Sequence, residues 1–351
     1  MTEIANRFQT SSPVVSSQPY GMGHINRTYL VTAANGEKYV LQKINDAVFA
    51  DVDGLMSNIC GVTEYIAKQS AGGETLRVIK TVDGKPYLRC EEGCFRMYNF
   101  VSGQTVETGA TLKQFELAGK AFGRFQKLLD GYPSDKLVET IKDFHNTERR
   151  YEAFVRAVNA DVCGRADGCR QEIEFFVSRK HYCRRVLDLI DSGRIPLRVT
   201  HNDTKPNNVL VEEAQNKVVA VIDLDTIMPG SMLYDFGDSI RYGANTAAED
   251  EQDLSKVAFS KEYFEAYCRG FLPEVKDMLT DGERENLYFG AILLTYECGM
   301  RFLTDYLSGD TYFRIHREGH NLDRCRTQIA LTKDMERHEA FMKSIVGKYL
   351  Q

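Results

Sequence analysis

Val199 to Gly243 reads VTHNDTKPNNVLVEEAQNKVVAVIDLDTIMPGSMLYDFGDSIRYG. Two short apolar runs, VLV and VVAVI, are bounded by turn residues and read as buried strands. Asp203 and Asn208 then sit on a loop entering one strand, and Asp223 at the exit of the other. Carboxylates at strand ends, on loops carried by a rigid scaffold, are a common way to build a polar site. The stretch is expected to be a phosphoryl-transfer site that the rest of the chain serves.

The chain has 351 residues, enough for two lobes and a sizeable core. A net charge of -6 supports neither a nucleic-acid nor an anionic-membrane partner. Nine cysteines, an odd count without metal-motif spacing, read as reduced thiols of a cytosolic protein. Residues 1–18 lack the basic start and apolar run of a signal peptide and read as a loose surface segment. The apolar run GAILLTYECGM, interrupted at Glu297, falls far short of the ~20 residues of a membrane span. A soluble, cytoplasmic protein is expected.

Outward from the central stretch, TYLVT and KYVLQKI are strand-like and separated by a hairpin signal at Asn35-Gly36. A short glycine turn, Gly21-Met22-Gly23, precedes them. Val52 to Lys68 reads as a helix, and two further extended segments flank the Asp83-Gly84 turn. The first 101 residues are therefore expected to form a β-rich lobe with one helix. Residues 102–351 form a larger lobe, with helices over Thr111–Leu129, Ser260–Phe271, Asp281–Leu307 and Asn321–Tyr349. A capping box is expected at Thr280 and Glu283.

A glycine turn, a β lobe, a hinge, helices, then His-x-Asp-x-x-x-x-Asn followed by a strand ending in Asp is the order of a protein-kinase-like phosphotransferase. The expected class is α+β and bilobal, a small antiparallel sheet lobe and a mainly helical lobe. Asp203 must face an acceptor hydroxyl as base, and one short turn later Asn208 must face a metal on the nucleotide phosphates. Asp235-Phe236-Gly237 spells the kinase magnesium motif, yet no apolar strand precedes it. Asp223 does follow a strand and is assigned the metal, and Asp235 is expected to cap a helix or brace the catalytic loop. Asp225 shares a strand face with Asp223 and is a candidate for metal or a substrate hydroxyl. On the strand where a kinase carries its phosphate-binding lysine, Gln42 and Lys43 are both candidates. Glu64 is the candidate acid on the following helix. Arg301, on the otherwise apolar face of the helix from 281, must be paired or functional, with Asp305 and Tyr312 near it in sequence. His316 and His320 read as solvated.

The strings THNDTKPNN, VIDLDTIMPGSMLYDFGDSIR, YGMGHINRTYLV and ECGMRFLTDYLSGDTYF closely resemble bacterial N-acetylhexosamine 1-kinases, within the aminoglycoside-phosphotransferase-like group. The likeness spans nearly the whole chain. It implies ATP- and Mg2+-dependent phosphorylation of the anomeric hydroxyl of N-acetylglucosamine or N-acetylgalactosamine. Carried over, Asp203 is the base and Asn208 and Asp223 hold Mg2+. His24, Asp225, Arg301 and Tyr312 would line the sugar pocket. Gly21, Gly23, Gln42 and the Met97–Val101 hinge, with Tyr98 and Phe100, would serve ATP, and Gln42 in place of lysine fits this group. Rival acceptors are choline, homoserine, methylthioribose or an aminoglycoside. A non-catalytic nucleotide-binding pseudokinase is the distant alternative, which the presence of Asp203, Asn208 and Asp223 disfavours.

Overall fold

The computed structural model describes residues 1–21, 25–70, 76–106 and 109–351. The amino-terminal part contains α1 (Thr2–Ala5), β1 (Val14–Pro19), β2 (Arg27–Ala33), β3 (Lys38–Lys43), α2 (Val52–Gln69), β4 (Val78–Ile79), β5 (Leu88–Cys90) and β6 (Gly93–Asn99). The strands form an antiparallel sheet in the order β1-β2-β3-β6-β4, with β5 also on β6. The β2–β3 hairpin turns at Gly36, whose φ of 87° a side chain would resist. One face of this sheet packs on α2 through Val40, Ile44, Cys94 and Tyr98. The other buries Val31, Leu41, Phe95 and Met97.

Two sequence expectations change here and one holds. Residues 1–18 are not loose: Ile4, Ala5, Phe8 and Val14 are buried against Val31, Tyr39 and Met97, so this part holds two helices rather than one. The extended segments flanking Asp83-Gly84 are present as expected, as β4 and β5, and each pairs with β6. The last long helix is two, α10 (His320–Arg337) and α11 (Glu339–Leu350), broken at His338, whose amide still closes on the Asp334 carbonyl while its ψ of 12° ends the helical run.

The chain leaves the first sheet at Asn99, and β7 (Gln104–Thr105) already pairs with β9 (Val209–Glu212), which also pairs β10 (Lys217–Val221). A two-stranded ribbon joins β8 (Arg198–Thr200) to β11 (Met228–Gly230). Around them stand α3 (Leu112–Leu128), α4 (Thr147–Ala160), α5 (Arg170–Ser178), α6 (Tyr182–Asp191), α7 (Met232–Gly243), α8 (Lys261–Val275) and α9 (Asp281–Leu307). The amphipathic α3 lays its apolar face on α8, and the helices approach closely because a Cβ at Gly119 would stand 2.5 Å from the Tyr267 carbonyl oxygen. Helix α9 opens with the expected Thr280–Glu283 capping box and runs through the core. No helix among the described residues is long and apolar enough to cross a membrane. The result is an antiparallel sheet part and a larger helical part, α+β.

Candidate active site

Strand β8 delivers the chain to His201, and the loop that follows is fixed from three sides. Asn202 takes a φ of 63°, a left-handed conformation that asparagine tolerates better than most residues. His201 is fully buried between Phe122 and Phe125. Its Nδ1 accepts the Asp203 amide at 3.3 Å, which leaves Nε2–H to donate to the Ile222 carbonyl at 2.9 Å. From α7, Asp235 accepts the amides of His201 (2.9 Å) and Asn202 (2.8 Å) and the side-chain amide of Gln126 (2.7 Å). Asp238 accepts the Thr204 amide at 3.1 Å.

The kinase-like triplet Asp235-Phe236-Gly237 therefore has structural roles throughout. Asp235 braces the loop, as expected, while Ser231 rather than Asp235 caps α7. Phe236 is buried against Phe264, Tyr267 and Phe271, and a Cβ on Gly237 would lie 2.2 Å from the Gly290 carbonyl oxygen of α9.

The braced loop presents Asp203 half-buried. Lys205 Nζ lies 2.7 Å from Asp203 Oδ1. Burial alone would lower the lysine pKa, but the Asp203 and Asp238 carboxylates more than offset this and keep it charged. The Asn208 side-chain amide donates to Asp203 at its carbonyl (2.8 Å) and at Oδ2 (3.1 Å). That leaves Asn208 Oδ1 without a donor among the described residues.

Asp223 follows β10 in a left-handed conformation, φ 61° and ψ 60°. Its carboxylate reaches solvent at the cleft floor and makes no hydrogen bond among the described residues. Its pKa is pushed up to about 6 by the depth of the cleft and by the neighbouring carboxylates of Asp225 and Asp203. Unrelieved negative charge of this kind suits a cation. Among the described residues no three His, Cys, Asp or Glu side chains converge as a protein-only cage. Mg2+ does not require one, since it commonly uses one or two carboxylates with waters and substrate phosphates. Asp223 with Asn208 Oδ1 fits that pattern.

Asp225 is only 4% exposed, and both its oxygens are engaged from the other side of the cleft. Oδ1 is ion-paired with Arg96 Nη1 of β6, and Oδ2 accepts Asn26 Nδ2 at 2.5 Å. Gln42 stands directly across from Arg96 in the β3–β6 register and accepts its Nε–H at 2.9 Å. Lys43, its neighbour, lies over the Phe95 ring on the opposite face. Glu64 is 61% exposed and 4.0 Å from Lys80, outside the cleft. Tyr98 is buried on β6, while half-buried Phe100 meets Tyr20 edge-on at 6.2 Å beside Gly21, which has a φ of 77°. The amides of Asn99 and Phe100 already donate to the carbonyls of Arg77 and Lys38. Gly23 and His24 lie outside the described residues.

On the opposite flank of the catalytic loop, Glu297 of α9 accepts the Thr147 hydroxyl at 2.5 Å and meets His145 Nδ1 at 2.8 Å. The other nitrogen of His145 reaches the Asn202 carbonyl at 3.4 Å. One helical turn on, Arg301 is half-buried among Phe144, Tyr312 and Phe313, with its guanidinium 5.6–5.9 Å from the three ring centres. Among the described residues it has no hydrogen bond or ion pair. Tyr312 is 69% exposed above it. Its loop is shaped by Asp305, which accepts the amides of Thr311, Tyr312 and Phe313 at 2.8–2.9 Å. A 310 Å³ apolar cavity between α2, α3 and β10 is lined by none of the candidate catalytic, metal or substrate residues, though it shares Phe125 with the His201 packing.

The sequence and fold have counterparts among known proteins. The model of the phosphotransferase enzyme family, APH, matches residues 16–277, most of the chain. The chain belongs to this family. Its fold is similar to that of an aminoglycoside phosphotransferase from Alicyclobacillus acidocaldarius, at 13% identity and TM-score 0.61, over 99% of this chain and 95% of that one. It is also similar to an ethanolamine kinase from Plasmodium vivax (15%, TM-score 0.56, 89% and 82%). A third is the amicoumacin kinase hAmiN, solved in complex with AMP-PNP, Ca2+ and Ami (14%, TM-score 0.57, 95% and 92%).

Within this phosphotransferase the sequence reading missed Arg96, Asn26 and Lys205. Arg96 left a signal, a lone charge in the apolar strand CFRMYNF on the same face as buried Cys94 and Tyr98. Lys205 lies inside the motif itself. Asn26 left none. His320, expected in solvent, is 3% exposed; its Nδ1 accepts the His316 amide and Nε2 meets Asp250 at 3.0 Å.

Proposed function

We propose that the chain transfers the γ-phosphoryl group of ATP to the anomeric hydroxyl of an N-acetylhexosamine, N-acetylglucosamine or N-acetylgalactosamine. The observation that carries this reading is Arg301, a guanidinium with no ion pair or hydrogen bond among the described residues, ringed by Phe144, Tyr312 and Phe313 beside the catalytic loop. A fixed positive charge repels a polycationic aminoglycoside or a quaternary amine. It suits a neutral acceptor whose hydroxyls and amide carbonyl accept hydrogen bonds, and aromatic faces suit the apolar side of a sugar ring.

Asp203 orients the acceptor hydroxyl and takes its proton as the new P–O bond forms. Lys205 pairs with that carboxylate and places a positive charge beside the transferring group. Asn208 and Asp223 would hold Mg2+, which when bound with ATP neutralises charge on the phosphates. His24, Arg301 and Tyr312 would line the sugar pocket, while Gly21, Gly23, Tyr98 and Phe100 would border the nucleotide. The contact between the two lobes at Asp225 excludes water that would otherwise divert ATP to hydrolysis.

An ATP-consumption screen over N-acetylhexosamines, hexoses, choline, ethanolamine, homoserine, methylthioribose and aminoglycosides tests the reading. Consumption is expected with N-acetylhexosamines above all others. Consumption only with a cationic acceptor overturns it.

A further inference from the structure

The kinase reading leaves one position unexplained: Gln42 stands where a phosphate-binding lysine is expected. Across the β3–β6 pairing, Arg96 is its direct neighbour, 1% exposed and in ionic contact with Asp225 of the loop after β10. Gln42 turns both ends of its amide to use there, accepting Arg96 Nε–H at 2.9 Å and donating to Thr28 Oγ1 at 3.1 Å. A lysine at 42 would place two like charges side by side; a glutamine holds the arginine in place. Arg96 Nη1 and Asp225 Oδ1 are in ionic contact, yet neither atom makes an aligned hydrogen bond, and both are fully buried. Buried polar atoms normally have aligned partners, so this pair is held by charge and can exchange for a better acceptor. The candidate metal ligand Asp223 is two residues from Asp225, so phosphates bound there come to the guanidinium.

We propose that Arg96 is the nucleotide-phosphate cation of this enzyme, transferred from β3 to β6, oriented by Gln42 and held by Asp225 until phosphate arrives. The inference rests on the kinase reading above and extends it. In this arrangement the counter-ion of the phosphate cation is on the metal-bearing loop rather than on α2, whose Glu64 faces solvent. The cation and the metal site then assemble in one step, and Asn26 adds a second tie from the same lobe to Asp225. An arginine fork also offers two parallel donors to phosphate oxygens, where a lysine offers a point charge.

The test is calorimetric binding of adenosine, AMP and ADP in EDTA, which separates phosphate from base recognition without a metal. Removing Arg96 alone strands a buried carboxylate, so the variants are Arg96→Lys, which keeps the pair, and Arg96→Met with Asp225→Asn, which removes both charges. For both, adenosine affinity should stay within about twofold of wild type. ADP affinity should fall at least tenfold in the neutral double variant and less in Arg96→Lys. Adding Gln42→Lys to the neutral double variant should restore much of the loss by returning a cation to β3. If ADP and adenosine affinities change together in either variant, or ADP affinity does not change, the inference is wrong while the kinase reading stands. A wild-type chain that binds neither adenosine nor ADP overturns both.

Discussion

Asp235 Oδ1 lies 2.8 Å from the amide nitrogen of Asn202, and this contact fixes the shape of the loop that carries Asp203 from a helix some thirty residues further on. The same carboxylate serves His201 and Gln126. Asp235→Ala would leave the amides of His201 and Asn202 buried without an acceptor, at about 1–3 kcal/mol for each stranded group, while Gln126 keeps the Val199 carbonyl. Denaturant unfolding should show the loss, and turnover should fall with it. Unchanged stability would contradict the bracing role.

Asp203→Asn removes the proposed proton acceptor while keeping the size of the side chain. Nucleotide binding should persist and turnover should drop by about 10²–10⁴-fold, the usual worth of a general base. Single-turnover kinetics with saturating substrates makes the measurement, and a near-wild-type rate refutes the assignment.

Asp223 carries a pH signature. Its pKa stands at about 6 in the folded chain, above the ordinary carboxylate value, through burial in the cleft and the charges of Asp225 and Asp203. For the metal-free fold, this group's stabilising contribution is present below the ordinary value and is lost as pH rises through about 6. In the proposed site Mg2+ would compete for the same oxygens. Metal binding should therefore weaken as pH falls from 7 to 5, with proton release measurable by calorimetry in buffers of different ionisation heat. Asp223→Asn should abolish metal-dependent turnover while leaving metal-free stability at neutral pH equal or slightly higher. Metal affinity independent of pH in this range contradicts the account.

Arg301 has no ion pair to lose among the described residues, so Arg301→Ala should barely move the melting temperature. It should raise the KM for the sugar by about ten- to a hundredfold, the worth of hydrogen bonds to a charged group, and leave the KM for ATP alone. A large loss of stability with an unchanged sugar KM would assign the residue to structure instead.

The parts legible in the sequence are those whose chemistry is local. Asp203 and Asn208 must be spaced by one turn of chain, and Asp223 must follow a strand, so their order is visible without a fold. The capping box at Thr280 and the periodicity of α3 and α9 are local as well. Contacts made across the chain were hidden. Asn26 and Asp225 are 199 residues apart, and nothing near either announces the other. Residues 1–18 were misread because Ile4, Phe8 and Val14 are too sparse for a periodic pattern, and only the sheet they cover reveals their burial. The break at His338 carries neither glycine nor proline, so the sequence ran two helices together.

The most direct test of the central claim is the identity of the product, followed by phosphorus NMR of the reaction of wild-type enzyme, ATP and Mg2+ with N-acetylglucosamine or N-acetylgalactosamine. The account predicts one equivalent of ADP and one sugar phosphate whose phosphorus couples to the anomeric proton. Phosphate on any other hydroxyl, or ADP released with free phosphate and no sugar ester, would contradict it.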